Sequence, residues 1–291
     1  MKTRISYVGI ALISSVLYAV WASLAFLAVR LGANVFVAGT VIFVSALLVS
    51  IVYIALEHEK LNIQGLKFGA IAGTLFFVGN AAFFYALGVQ DMSSAYPFIP
   101  ASILVYFALS YKTFGRKDGR NSIVGFGVAV SAAGLVIGEI TGAHLNDING
   151  SSFAAGLIIL FFYGVAGYFV TVGSDHGVSS VALSTMAVES ILFFLSAVFI
   201  HPGFHIGTVP VLISIAGGIS IGVAFIIETV IFNKLLTDGS EPLAGINLIY
   251  IVSNGDAIFV MLLAIVLNTY TVFSIIGLSL VYVGIVLLQK T

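Results

Sequence analysis

The run Val178–Ile200, VSSVALSTMAVESILFFLSAVFI, carries a single charged side chain, Glu189, near its middle. A bilayer core about 30 Å thick is crossed by about 20 mostly apolar residues of helix. The run therefore reads as one membrane span with a carboxylate at midplane depth. Nine further apolar runs accompany it: Ser6–Val29, Val35–Leu56, Phe68–Gly88, Ser94–Tyr111, Ser122–Gly138, Phe153–Gly173, Val209–Phe232, Leu243–Leu267 and Tyr270–Leu288. The expectation is an all-α polytopic membrane protein with ten transmembrane helices.

Composition excludes most rivals. Of 291 residues, 60% are hydrophobic and 8% charged, whereas soluble domains carry about 25% charged residues. The net charge of −1 gives no nucleic-acid signal. With no cysteine there is no disulfide framework and no thiolate metal site. The start Met1-Lys2-Thr3-Arg4 resembles that of a signal peptide, but the apolar run behind it outlasts a signal core of ~7–15 residues, which predicts a retained first helix. His201 and His205 lack acidic neighbours and read as solvated residues of an outer loop. The chain has no phosphate-binding loop and no metal-ligand spacing, so neither an enzyme nor a cofactor is expected.

The second five runs echo the first five. Tyr18 precedes Gly32 by fourteen residues, and Tyr163 precedes Gly177 by fourteen. The same offset of 145 aligns Val20 with Val165, Thr40 with Thr185, Ser45 with Ser190, and Val44 with Glu189. The closing run of each half has glycines seven apart, Gly127/Gly134 and Gly277/Gly284. An odd number of spans per half turns the halves upside down, which predicts inverted repeats over residues 1–140 and 150–291 within one transmembrane domain. Such repeats are typical of secondary transporters.

Lys and Arg orient the chain. With the N-terminus inside, Lys2, Arg4, Lys60, Lys67, Lys112, Arg116, Lys117, Arg120, Lys234 and Lys290 are all internal and only Arg30 is external. That split follows the positive-inside rule and predicts a multi-pass protein of the cell membrane with both termini cytoplasmic.

Tyr85-Ala86-Leu87-Gly88 at the end of the third run, Ser94-Ala95 before Pro97 and Pro100, and the glycine-spaced closing runs Gly125–Gly138 and Gly277–Leu288 resemble the drug/metabolite transporter superfamily, in particular its EamA-type members. The resemblance implies that spans 1–4 and 6–9 surround a central cavity while spans 5 and 10 lie at the periphery. The chain departs from the family where a Glu often follows spans 4 and 9. Those positions read Ser110-Tyr111-Lys112-Thr113 and Val266-Leu267-Asn268-Thr269.

Three charged residues fall inside the runs, all acidic: Glu189, Glu228 and Asp256. An ionisable group at membrane depth costs ~2.5–3.5 kcal/mol or more and normally marks a substrate or proton route. An offset of 148 between the third and eighth runs sets Asn80 opposite Glu228. Glu228, Glu189 and Asn80 are thus candidate substrate or proton sites. Asn247, Tyr250 and Asn254 share one helical face and join them, whereas Asp256, about 200° round from Asn254, reads as structural. Among the aromatics, Tyr18, Trp21 and Tyr163 are the leading pocket candidates, with Phe76, Phe77, Tyr85 and Tyr168 behind them. Pro97 and Pro100 are expected to open their helix as part of a cytoplasmic gate. The glycines Gly65, Gly69 and Gly73, like Gly218 and Gly222, are expected to bring helices close.

No basic residue accompanies the acids at depth, which disfavours phosphorylated substrates. The expected function is secondary-active transport of small metabolites, most of all amino acids or related amines, by alternating access and with possible proton coupling. The alternative is an uncoupled facilitator of neutral solutes in which the carboxylates are structural. The expected partners are a small-molecule substrate and the lipid bilayer, with the chain acting as a monomer or homodimer.

Overall fold

The computed structural model describes residues 2–89, 97–114, 121–138, 150–200, 206–237, 252, 255–266 and 272–289. They form α1 (Lys2–Arg30), α2 (Val35–Glu57), α3 (Ile63–Val89), α4 (Phe98–Ala101), α5 (Ile103–Phe114), α6 (Asn121–Gly138), α7 (Gly150–Ser174), α8 (Val178–Ile200), α9 (Thr208–Thr237), α10 (Asp256–Val266) and α11 (Val272–Gln289). The described residues contain no strand.

Six of these helices are long and apolar enough to cross a bilayer: α1 from Tyr7, α2, α3 to Ala86, α7 from Phe153, α8 and α9. Phe98–Ser110 and Ile275–Leu287 are shorter apolar helical segments. The surface supports the same conclusion. Leu48 and Val52 are each 57% exposed and Phe199 is 79% exposed, while Ser14, Ser15, Asn80, Glu189 and Asp256 are buried. Apolar groups outside and polar groups inside suit a lipid surround rather than water. The protein is an all-helical, multi-pass membrane protein.

Local chemistry sets the helix ends. The turn between α1 and α2 has Gly32 at φ 89°, and that between α7 and α8 has Gly177 at φ 123°. An L side chain rarely adopts either conformation. Asn34 caps α2, its Oδ1 accepting from the backbone N–H of Phe36 at 2.9 Å and of Val37 at 3.4 Å. The fourth run is divided at Ser102 into α4 and α5, next to Pro100, which has no N–H to give.

Within the bundle α3 packs on α7 and α8, and α9 packs on α1 and α2. α2 also packs on α8, α5 on α7, and α10 on α1. α6 and α11 pair chiefly with each other. The glycines make these approaches possible, as their spacing led us to expect. A methyl group at Gly73 would lie 2.6 Å from the Thr185 carbonyl oxygen, and one at Gly69 2.6 Å from that of Val181. On the opposite side Gly218 packs on Ile42 and Ser45, and Gly222 on Ala46 and Val49. Between α6 and α11 the contact is reciprocal, Gly134 meeting the backbone of Gly277 and Gly284 that of Gly127.

Candidate functional site

A cavity of about 70 Å³ lies among α1, α3, α4, α7, α8, α9 and α10. Seven of the pocket and site candidates named from the sequence line it: Tyr18, Trp21, Phe76, Asn80, Tyr163, Glu189 and Glu228. They come from five helices whose close packing brings distant positions together.

The polar groups form two hydrogen-bonded sets. Tyr18 donates its hydroxyl to Glu228 Oε2 at 2.7 Å. Tyr163 donates to Asn80 Oδ1 at 2.5 Å, and Asn80 Nδ2 donates to Glu189 Oε1 at 2.6 Å. This chain uses the amide in the only sense that satisfies both neighbours, because an ionised carboxylate accepts and does not donate. Phe76 sits edge-on to Tyr163 at 5.7 Å and to Phe225 at 6.2 Å, and Trp21 lies 5.5 Å from Phe83. The walls are therefore aromatic, and the charged groups that line the cavity are acidic.

Asp256 also lines the cavity, contrary to the reading that turned it toward a neighbouring helix. That reading assumed a continuous helix from Asn254 to Asp256. Gly255 instead forms a turn, and α10 begins at Asp256. The dipeptide Asn254-Gly255 is itself a turn signal and was the clue available in the sequence. Asn247, Tyr250 and Asn254 lie outside the described residues.

Other candidates fall elsewhere. Tyr85 is 49% exposed. Phe77 is part of an aromatic cluster with Phe193, at 4.9 Å. Pro97 and Pro100 flank the cavity-lining residue Ile99. Beside them the Phe98 ring lies 5.7 Å from that of Phe153, in the first turns of α7. These prolines thus stand near the start of α7, at the opposite end of the bundle from the turn at its close.

At that other end, residues 58–62 meet the α7–α8 turn. Glu59 Oε2 accepts from the Ser179 backbone N–H at 2.9 Å, and the Asn62 backbone N–H donates to Ser180 Oγ at 2.7 Å. The His176 and Phe68 rings stack there at 5.6 Å. This contact between the halves was not foreseen, since Glu59 sits in a short polar loop like any other.

No family model and no curated protein matches the chain. A solved structure described only as "Crystal structure of protein" is similar over 96% of this chain and 97% of its own, with a TM-score of 0.68 at 17% identity. At that identity the likeness bears on the fold alone, and it extends over nearly the whole architecture.

Proposed function

We propose that the protein is a secondary-active transporter of small metabolites, amino acids or related amines, working by alternating access around the acidic cavity. The observation that carries this reading is the cavity itself: Glu189, Glu228 and Asp256 converge among aromatic rings, with no Lys or Arg among the described lining residues. Buried carboxylates at membrane depth mark ion or substrate routes, and aromatic faces attract cations.

Ten spans in two inverted repeats are part of the proposal, as is membership of the drug/metabolite transporter superfamily. The helix pairings support the repeat. Exchange of the halves turns α3 on α7 into α9 on α1, α3 on α8 into α9 on α2, and α5 on α7 into α10 on α1. The turns at Gly32 and Gly177 correspond, and Tyr18 on Glu228 matches Tyr163 beside Gly79 and Asn80. Gly69 and Gly73 touch α8 as Gly218 and Gly222 touch α2, which moves the register of α3 and α9 from 148 to 149. Gly79, whose Cα faces the Tyr163 ring, then stands opposite Glu228, and Asn80 is its neighbour. The lining also draws on spans 1, 3, 4 and 6–9, and on none of α2, α6 or α11.

The orientation, with cytoplasmic termini in the cell membrane, is consistent with the two loop contacts. The charge count puts residues 58–62 and 175–177 on the inner side, where Glu59 and Ser179 meet. It puts Ala33 and Ile206 outside, and they share a small apolar cluster. Pro97 and Pro100 then belong to the outer face, so any gate they form is external rather than cytoplasmic.

A facilitator of neutral solutes is the second reading. It is favoured by one observation: Glu228 and Glu189 each already accept a hydrogen bond from the protein. The test is uptake of radiolabelled amino acids and amines by proteoliposomes, with and without a pH gradient. The carrier reading expects gradient-driven uptake in wild type that Glu228→Gln uncouples. Uptake that ignores both the gradient and the substitution supports the facilitator.

A further inference from the structure

On the carrier reading above, on which this inference rests, the helix contacts define what moves. The sequence halves are not the compact units of the structure. α3, from the first half, is seated on α7 and α8, and α9, from the second, on α1 and α2. α4 and α5 lie against α7, and α10 against α1. Two groups result: α1, α2, α9 and α10, and α3, α4, α5, α7 and α8. Each mixes both halves, and exchange of the halves turns one group into the other.

Close packing holds each group together. In the first, Gly218 and Gly222 bring α9 onto the backbone of α2. In the second, Gly69 and Gly73 do the same for α3 on α8, and Gly164 brings α7 onto the Ser102 carbonyl. Small residues of this kind let helix backbones meet. Hydrogen bonds between helices follow the same division. Within the first group Ser14 donates to the Ala224 carbonyl at 3.0 Å and Tyr18 to Glu228. Within the second, Thr185 donates to the Gly69 carbonyl at 3.1 Å, and Tyr106 and Thr171 share a hydrogen bond at 2.9 Å. The Tyr163–Asn80–Glu189 chain is also internal to the second. The cavity lies between the groups, with Glu228 and Asp256 on one wall and Glu189 on the other. Around it the groups meet through rings, Phe76 on Phe225 and Trp21 on Phe83, which can slide without leaving a polar group unpaired.

Two places join the groups more firmly. α2 packs on α8, where Phe43 stacks on Phe193 at 5.1 Å and Gly39 faces the same ring. Exchange of the halves maps this pair onto itself, as an axis of motion requires. At the inner ends of α9 and α7, Asn233 donates its Nδ2 to the Ser174 carbonyl at 2.6 Å. We propose that access alternates by rocking of the two mixed groups about the α2–α8 contact, with the Asn233–Ser174 bond as the catch that parts when the inner side opens. Rocking of rigid bodies around a midplane site is a common transporter motion. Here the rigid bodies are the mixed groups rather than the two repeats.

Motion of the repeats and motion of the mixed groups make opposite predictions for two cross-links, and the cysteine-free chain admits both. Asn62→Cys with Ser180→Cys joins the two sequence halves inside one group, where the Asn62 backbone N–H meets Ser180 Oγ. Ser174→Cys with Asn233→Cys joins the two groups inside one sequence half. Each pair is bridged by a short, membrane-permeant bifunctional methanethiosulfonate and released by reductant, so each protein is its own folding control. The readout is proteoliposome uptake of a solute from the panel above. Bridging residues 62 and 180 is expected to leave the rate unchanged. Bridging residues 174 and 233 is expected to reduce it to that of protein-free liposomes, and reductant to restore it. The reverse pattern, loss with both bridges, or loss with neither would each overturn the proposal and leave the carrier reading standing. If one pair is inactive before bridging, the other decides alone. No uptake of any solute by wild type would remove the carrier reading and this inference with it.

Discussion

Asn80 joins two of the polar groups of the cavity. Its amide oxygen takes the Tyr163 hydroxyl and its amide nitrogen supplies Glu189. Asn80→Leu would remove both of these bonds at once, including the one that Glu189 Oε1 accepts, and a buried polar group deprived of its hydrogen bond costs about 1–3 kcal/mol. Tyr163→Phe removes one bond of the two and leaves the Asn80–Glu189 bond in place, so it should cost less than Asn80→Leu. Reversible unfolding in bicelles should rank Asn80→Leu as the more destabilising of the two, and equal stabilities would contradict the relay. Much of this was legible from the chain, because Tyr18 and Tyr163 stand at the same distance from two glycines and the acids stand out in apolar sequence. The place of Asp256 in the lining was not legible, since α10 begins only at Asp256, after the turn at Gly255.

At the scale of helices, α3 depends on a face with no side chains where it meets α8. Gly73→Leu would drive a branched side chain into the Thr185 backbone, 2.6 Å from the first added carbon. Overpacking of this kind costs typically 1–3 kcal/mol, and the same unfolding measurement should detect it. The loop latch is a separate element. Glu59 caps the start of α8 from the other half of the chain, and loss of a cap typically costs about 1 kcal/mol. Glu59→Ala should therefore speed hydrogen exchange at the first amides of α8 while leaving the centre of α3 unchanged; unaltered exchange at Ser179 would show that the contact carries nothing. The six long apolar helices were plain in the sequence, Val178–Ile200 residue for residue. The interruption at Ser102 lies beside the prolines expected to open that helix, whereas the Glu59 latch was not legible, because it depends on a tertiary partner that no local pattern encodes.

Across the whole molecule, the proposed inverted repeat requires that the turns at Gly32 and Gly177 face opposite sides of the membrane. The chain contains no cysteine, so single substitutions at exposed Leu31 and Asp175 give unambiguous labels. In sealed right-side-out vesicles, an impermeant thiol reagent should reach Leu31→Cys at once and Asp175→Cys only after lysis. Labelling of both from one side would overturn the inverted arrangement. On the proposed carrier reading the acids serve each side in turn, and a carrier differs from a pore in moving its site rather than opening it. The most direct measurement is exchange in proteoliposomes: uptake of a labelled solute found in the uptake panel, into vesicles preloaded with the same unlabelled solute or left empty. The account predicts faster, saturable uptake into preloaded vesicles, because the loaded cavity returns more readily than the empty one. Uptake that is unsaturable and indifferent to internal solute would contradict it.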